Sequence, residues 1–414
     1  GDLFALVHHP GTAVPEALNA SGRGGSGLAT VMPGAGRHAT VPFDSPAAIT
    51  APGCVDGWLA LAGRCGRLPL PDLLAPAIRH GEDGFPVSAD LADALARLQA
   101  RITSQPSAGE LYPEGRPPRA GERLRRPRLA AVLRSIAAAG RDAFYSGPIA
   151  DAMTSATEGI LTAGDLLRSH AEWVTPIGID VFGQRLWTMP PNSQGYLTGA
   201  AAWLLQQWGA ASDPASPAFH HAVIESYRAV AWESDRLVAD PAHLPLPAGQ
   251  LLDPERLRPR LASVHPARVS AWPAPRPDPG GTAYLTVLDA AGMGVSLIQS
   301  NYTGIGSGRS AGGTGVWLHN RGACFTLEPG HPNEAAPGKR PRHTLSPTLW
   351  TRGDQISLLL GTRGGYQQPQ YLLQAAALGL GCHLAAGLSA EEQAALRRAA
   401  GLPEEHVPHA VVSV

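Results

Sequence analysis

Four alternating prolines, Pro273, Pro275, Pro277 and Pro279, run directly into Gly280-Gly281-Thr282. Proline has no N–H to give to a β-ladder, so this stretch cannot be a central strand. It predicts an irregular, exposed linker over residues 237–280. Immediately after it the pattern turns strongly β, with Thr282-Ala-Tyr-Leu-Thr-Val-Leu288, a turn at Asp289-Ala-Ala-Gly292, and Val295-Ser-Leu-Ile-Gln-Ser300. Further short strands are predicted over 316–318, 324–327, 348–351 and 356–360. Helices flank these strands in sequence rather than alternating with them, which favours a layered α+β arrangement over a doubly wound one.

Upstream, residues 2–7 read as a strand closed by the turn His9-Pro-Gly-Thr12, and Gly22-Arg-Gly-Gly-Ser-Gly27 reads as a glycine-rich loop. A strand so close to Gly1, which stands where Met is expected, suggests that the chain begins inside a fold. Helical patterns follow from Val55 to a stop at Gly66, over 71–80, and after the N-cap candidate Ser88, where Leu91, Leu95, Leu98 and Ile102 share one face. Residues 105–127 are rich in Pro, Gly and Arg and predict an exposed excursion, with Arg123, Arg125, Arg126 and Arg128 as a solvated face. Helices resume over 128–139 and 148–157. A hairpin over 177–181 and 185–189 leads to helices through Trp203 and over 222–235, and residues 375–414 are Ala-rich and helical in pattern.

The 414 residues are enough to bury a sizeable core. Lys+Arg 33 against Asp+Glu 34 leaves a formal charge of −1, so no net field draws nucleic acid or anionic lipid. Apolar residues are dispersed, and no run is long enough to span a bilayer. Cys54, Cys65, Cys324 and Cys382 form no C-x-x-C pair and read as small apolar residues rather than disulfides. His8-His9 and His220-His221 are sequence neighbours, which do not project to one side of a strand or helix. No metal and no cofactor is expected, and the cellular compartment stays undecided.

A threonine opening a strand after a flexible Gly-Gly is ordinarily structural. It also has a chemical use. If the chain were cut in front of Thr282, the hydroxyl would be a nucleophile and its own α-amino group the base, with a reference pKa of about 7.7–8.0 suited to proton transfer at neutral pH.

Several further segments bear on this choice. They are Ala51-Pro-Gly-Cys-Val-Asp-Gly-Trp58, Leu74-Ala-Pro-Ala-Ile78 with Gly84-Phe-Pro86, Met189-Pro-Pro-Asn-Ser-Gln-Gly195, Gly304-Ile-Gly-Ser-Gly308, Pro329-Gly-His-Pro-Asn333, Lys339-Arg-Pro341 and Gly361-Thr-Arg-Gly-Gly365. With Thr282 and its strand, they resemble the gamma-glutamyltranspeptidase family of N-terminal nucleophile hydrolases, in the family's order and over most of the chain. The resemblance implies a four-layer αββα sandwich made as one precursor that cuts itself between Gly281 and Thr282. A large subunit of residues 1–281 and a small one of 282–414 would then share one fold. It further implies Thr282 as nucleophile, Ser300 as the second hydroxyl that assists it, and the N–H groups of Gly364 and Gly365 as donors to the developing oxyanion.

The sequence departs from the family where its members clamp a glutamyl headgroup. Ungapped matching puts Ser21 at the family's Arg, Tyr302 at its Asn, Cys324 at its Asp, and His343-Thr344 at its Ser pair. Arg23 stands two residues from the lost Arg position. Replacing a carboxylate and a guanidinium removes charge-assisted contacts worth roughly 1.5–3 kcal/mol each. Arg23, Tyr302, Cys324, His343 and Thr344 are therefore the candidate substrate contacts, in a less charged pocket.

The expected partner is a small amide or peptide-like substrate other than glutathione, with no nucleic acid and no membrane. Two alternatives remain. One branch of the family hydrolyses a carbon–carbon bond to an oxalyl-type group in pathways to alkylproline natural products. The chain also looks short at both ends compared with the family, which would suit a non-catalytic homologue acting as a binding protein.

Overall fold

Apolar periodicity between residues 54 and 102 becomes three helices, α1 (Cys54–Cys65), α2 (Leu70–Asp83) and α3 (Ala89–Ile102). Gly66 closes α1 by donating its N–H to Ala62, and Ser88 caps α3 by accepting from the Leu91 N–H at 3.1 Å. The computed structural model describes residues 1–31, 39–209, 213–270 and 281–379. It divides into two units, one of residues 1–2, 20–172 and 301–341, the other of 3–19, 173–300 and 342 onward.

The first unit holds α1–α3, α4 (Pro127–Ala139) and α5 (Gly147–Ala156). Val55, Val132, Ile136, Tyr145 and Met153 meet in one core, and Leu95, Ile102, Leu111, Tyr112 and Leu124 in another. That second core corrects the reading of residues 105–127 as an exposed excursion. The backbone there is irregular, but Ala108, Leu111, Tyr112 and Leu124 are buried, and the Tyr112 hydroxyl donates to the Leu95 carbonyl at 2.8 Å. Turns, not a helical period, aim these side chains inward, so periodicity could not reveal them. Arg123, Arg125 and Arg128 are exposed, whereas Arg126 is half-buried 3.7 Å from Glu110.

The strands expected over 316–318 and 324–327 are also absent. Trp317 and Thr326 make only isolated bridges, and Arg321–Cys324 is a single 3-10 turn. Asn333 Nδ2 donates to the Cys324 carbonyl at 2.7 Å, satisfying with a side chain an acceptor that a neighbouring strand would otherwise use.

The second unit contains two sheets. One runs β3 (Glu172–Val174), β2 (Glu16–Ala20), β1 (Asp2–His8), β7 (Gly294–Tyr302), β6 (Gly281–Leu288) across its width. The other runs β9 (Gln355–Leu360), β8 (Thr348–Arg352), β5 (Gln184–Thr188), β4 (Ile177–Val181), antiparallel throughout, with Thr188 opposite both Thr348 and Ile177. Phe4, Leu6 and Ile298 of the first sheet pack against Trp187, Leu349 and Leu359 of the second. Helices α6 (Tyr196–Trp208), α7 (Pro217–Ala231) and α8 (Gln368–Ala377) cover the other face of the four-stranded sheet.

The predicted hairpin and both strands around residue 290 are present. The exposed linker is corrected at particular residues, although most of its described length is exposed. Val238, Leu251, Leu252 and Leu257 are buried in the helical core of this unit. Glu233, fully buried, holds Arg256 at 2.8 Å and Arg260 at 3.3 Å. Prolines start single turns here rather than keeping the chain away from the core. Residues 271–280, with the alternating prolines, lie outside the described residues, as do Cys382 and the Ala-rich segment beyond 379. Cys54 and Cys324 are buried and Cys65 is half-buried. Among the described residues, no helix is long and apolar enough to cross a membrane.

Candidate active site

Alternation along β6 puts Thr282, Tyr284, Thr286 and Leu288 on its half-buried face and Ala283, Leu285 and Val287 on its exposed one. Tyr284 and Leu288 pack into the core between the sheets, so the Thr282 hydroxyl lies on that inner side. Strand β7 alternates likewise and buries Ser296, Ile298 and Ser300. The two strands bring the predicted pair together, with Thr282 Oγ1 donating to Ser300 Oγ at 3.4 Å. Ser300 Oγ in turn donates to the Gly281 carbonyl oxygen at 2.6 Å. The peptide bond before Thr282 thus has the Ser300 hydroxyl on its carbonyl oxygen and the Thr282 hydroxyl beside it. Two residues along, Tyr284 Oη and Ser296 Oγ share a 2.9 Å hydrogen bond.

Gly364 and Gly365 sit in the loop between β9 and α8 with φ of +130° and +56°, a left-handed pair that only glycine adopts without strain. A Cβ on Gly364 would lie 2.8 Å from the Tyr371 ring. At Gly361 the chain crosses the Tyr284 ring so closely that a Cβ would fall 2.1 Å from Cε2. The loop carrying the two glycines therefore rests against the strand that begins with Thr282. Beneath it, the buried Tyr227 hydroxyl donates to the Tyr366 carbonyl at 3.5 Å, and burial pushes that phenol up to about 12, keeping it a neutral donor.

His343 and Thr344 are buried. The His343 ring meets Phe4 edge-on at 4.7 Å and accepts from the Leu345 N–H at Nδ1, 3.2 Å. The backbone N–H of His343 donates to the Asn192 carbonyl, and the backbone carbonyl of His343 accepts from the Gln194 N–H. The Gln194 side chain, marked in the sequence only by its place in the Met189–Gly195 segment, donates to the carbonyls of Thr344 and Gly365, each at 2.9 Å.

Arg23, Tyr302 and Cys324 belong to the first unit. There the Arg321 guanidinium lies 4.2 Å over the Tyr302 ring, and its Nη1 is 3.6 Å from Cys324 Sγ. The structure thus joins Tyr302 and Cys324 through a fully buried arginine that no pattern in the sequence marked. Arg23 is separate from them, donating to the Gly338 carbonyl at 3.1 Å and pairing with Glu172 at 3.6 Å.

A threonine at the head of a strand, a hydroxyl on the preceding carbonyl and a paired-glycine loop fit the family suggested by the sequence. The family model described as gamma-glutamyltranspeptidase matches residues 1–398. The chain belongs to the gamma-glutamyltranspeptidase family. It is 38% identical over 383 residues to the oxamate amidohydrolase proenzyme of Klebsiella pneumoniae, and 36% identical over 377 residues to the glutathione hydrolase-like YwrD proenzyme of Bacillus subtilis. Each match covers 89% of this chain and 71% of the relative. Among solved structures, a cephalosporin acylase from Bacillus halodurans matches all of this chain and 80% of its own, with a TM-score of 0.83 and 31% identity. The α+β sandwich expected from the sequence is the fold, and membership makes the chain an enzyme of the N-terminal nucleophile hydrolase type.

Proposed function

We propose that the chain cuts itself between Gly281 and Thr282 and then hydrolyses a small amide through an acyl-Thr282 intermediate. The observation that carries this reading is the 2.6 Å hydrogen bond from Ser300 to the carbonyl that must be attacked, with Thr282 Oγ1 donating to the same serine. As Thr282 Oγ1 bonds to the Gly281 carbonyl carbon, its proton passes to Ser300 and the Ser300 proton to the carbonyl oxygen. Collapse of the adduct breaks the C–N bond and returns that proton to the Thr282 nitrogen, leaving an ester. Water then splits the ester into the Gly281 carboxylate and a free Thr282 with its α-amine as base. Residues 1–281 and 282–414 become large and small subunits. In turnover the Gly364 and Gly365 N–H groups receive the oxyanion, a type of contact whose loss costs about 3–4 kcal/mol.

The substrate class follows from the lost headgroup clamp. With Ser21, Tyr302, Cys324 and His343-Thr344 at its positions, the acyl half is a small acid without a free amino-acid end. Of the candidate contacts, His343 and Thr344 lie in the same unit as Thr282. The similarity to an oxamate amidohydrolase makes oxamate the first compound to try. Its acyl group is oxalyl, so a carbon–carbon hydrolase of the oxalyl type would form the same acyl-enzyme and differ only in the leaving group.

Denatured intact mass of the purified chain beside Thr282→Ala, after incubation at neutral pH, tests the reading. Two species matching 1–281 and 282–414, absent from the variant, are expected. An uncut chain in both samples would sink it. Ammonia release from oxamate by the cut chain then tests the substrate class.

A further inference from the structure

We propose that Gln194 is a positioning residue that sets the Gly364-Gly365 loop for substrate turnover and is dispensable for self-cleavage. The proposal rests on the reading of those two glycines as the oxyanion donors. A primary amide nitrogen has two hydrogens, and in Gln194 they are divided between the carbonyls of Thr344 and Gly365. The side chain is 1% exposed, so water does not compete for either carbonyl.

The base of this bridge is fixed as well. The Gln194 N–H donates to His343 O at 3.1 Å, the His343 N–H to Asn192 O at 2.9 Å, and Ser193 Oγ to Leu345 O at 2.7 Å. Asn19 Nδ2 holds Asn192 Oδ1 at 3.0 Å from β2. A side chain anchored to two segments thus reaches across to a third, whose two consecutive glycines have the greatest backbone freedom. Holding the Gly365 carbonyl restricts the peptide plane that follows it and so limits how the Gly364 and Gly365 N–H groups can turn. Self-cleavage is different, because the Gly281 carbonyl already takes its hydrogen bond from Ser300.

Gln194→Met keeps the length of the side chain and removes the amide. The test compares it with the parent and with Thr282→Ala in three readouts. They are cutting by intact mass, the rate constant and half-saturation of the 4-nitrophenolate burst from 4-nitrophenyl acetate, and hydrogen exchange of residues 361–367 against 294–302. Expected are parent-like cutting, a burst rate constant lower by roughly 10–100-fold at unchanged half-saturation, and faster exchange confined to 361–367. Gln194→Asn, which keeps the amide on a shorter arm, should fall between. An unchanged burst overturns the proposal, as does loss of cutting together with faster exchange everywhere, which would mark a purely structural residue. A parent burst no larger than that of Thr282→Ala is a distinct failure, that of the nucleophile reading itself.

Discussion

Ser300 Oγ donates a 2.6 Å hydrogen bond to the carbonyl oxygen of Gly281, the residue before the candidate nucleophile. A donor at this place stabilises the charge that develops as the carbonyl is attacked. Removing one such donor typically lowers a rate by about 10²–10³-fold. Ser300→Ala should therefore cut itself that much more slowly than the parent, while Ser300→Thr keeps the hydroxyl and most of the rate. A time course of intact mass at constant pH decides it. Equal rates for Ser300→Ala and parent would remove Ser300 from the reaction.

Two buried histidines make the fold sensitive to acid. His170 and His319 are 2% and 0% exposed. Burial lowers each to about 4 from an ordinary value of 6.5, against the opposing pull of Asp56 on His170 and of Asp2 on His319. The Asp2 carboxylate lies 3.6 Å from His319 Nδ1, and burial still prevails. A folded-state pKa below the unfolded one means that the stability each neutral ring contributes is present above about 6.5 and is lost as pH falls toward 4. From pH 7 to pH 5 the loss should be roughly 2 kcal/mol per histidine. Urea midpoints at the two pH values measure it. His319→Gln, which cannot take up a proton, should show the smaller drop, and an identical drop would exclude His319 as a source.

How far the sequence could be read depended on whether a residue acts through its own chain neighbours or through distant ones. Ser88 and Gly66 work within a few residues, and the helix ends they mark are where expected. Thr282 and Ser300 lie on consecutive strands, so one turn brings them together. Gln194 acts at separations of 150 and 171 residues, and Arg321 becomes a neighbour of Tyr302 only because a glycine-rich stretch folds back. Neither leaves a local pattern. Asp56 shows a third case. It was visible as part of the Val-Asp-Gly-Trp segment, and its work is structural, since its carboxylate takes Arg141 Nε and the His170 N–H, each at 2.8 Å.

Glu233 tests the corrected reading of residues 238–264. Its buried carboxylate is shared by Arg256 and Arg260, and Arg260 also lies 4.4 Å over the Trp232 ring. Glu233→Gln leaves two guanidinium groups without their counter-charge. The arginine side chains are 21% and 33% exposed, so water offsets part of the loss. A cost of about 2–3 kcal/mol is expected, below that for a fully buried pair. Trypsin should then cut early at Arg256 or Arg260 in the variant and late in the parent. Equal resistance would show that apolar burial alone holds this segment.

The crossing of Gly361 over Tyr284 predicts a coupling between two residues 77 positions apart in the sequence. A methyl group on Gly361 would fall 2.1 Å from the Tyr284 ring, well inside contact distance, so Gly361→Ala forces the ring or the loop to move. Overpacking of this kind costs about 1–3 kcal/mol. Tyr284→Ala alone removes a ring from the core between the sheets and costs about 3–5 kcal/mol, as aromatic truncations do. In the double variant the methyl enters the space the ring has left. The combined loss should fall short of the sum by about 1–2 kcal/mol. Urea unfolding of the parent, both single variants and the double variant, all carrying Thr282→Ala so that each remains one chain, gives the four corners of the cycle. Strict additivity would mean that the loop and the strand carrying Thr282 do not bear on each other.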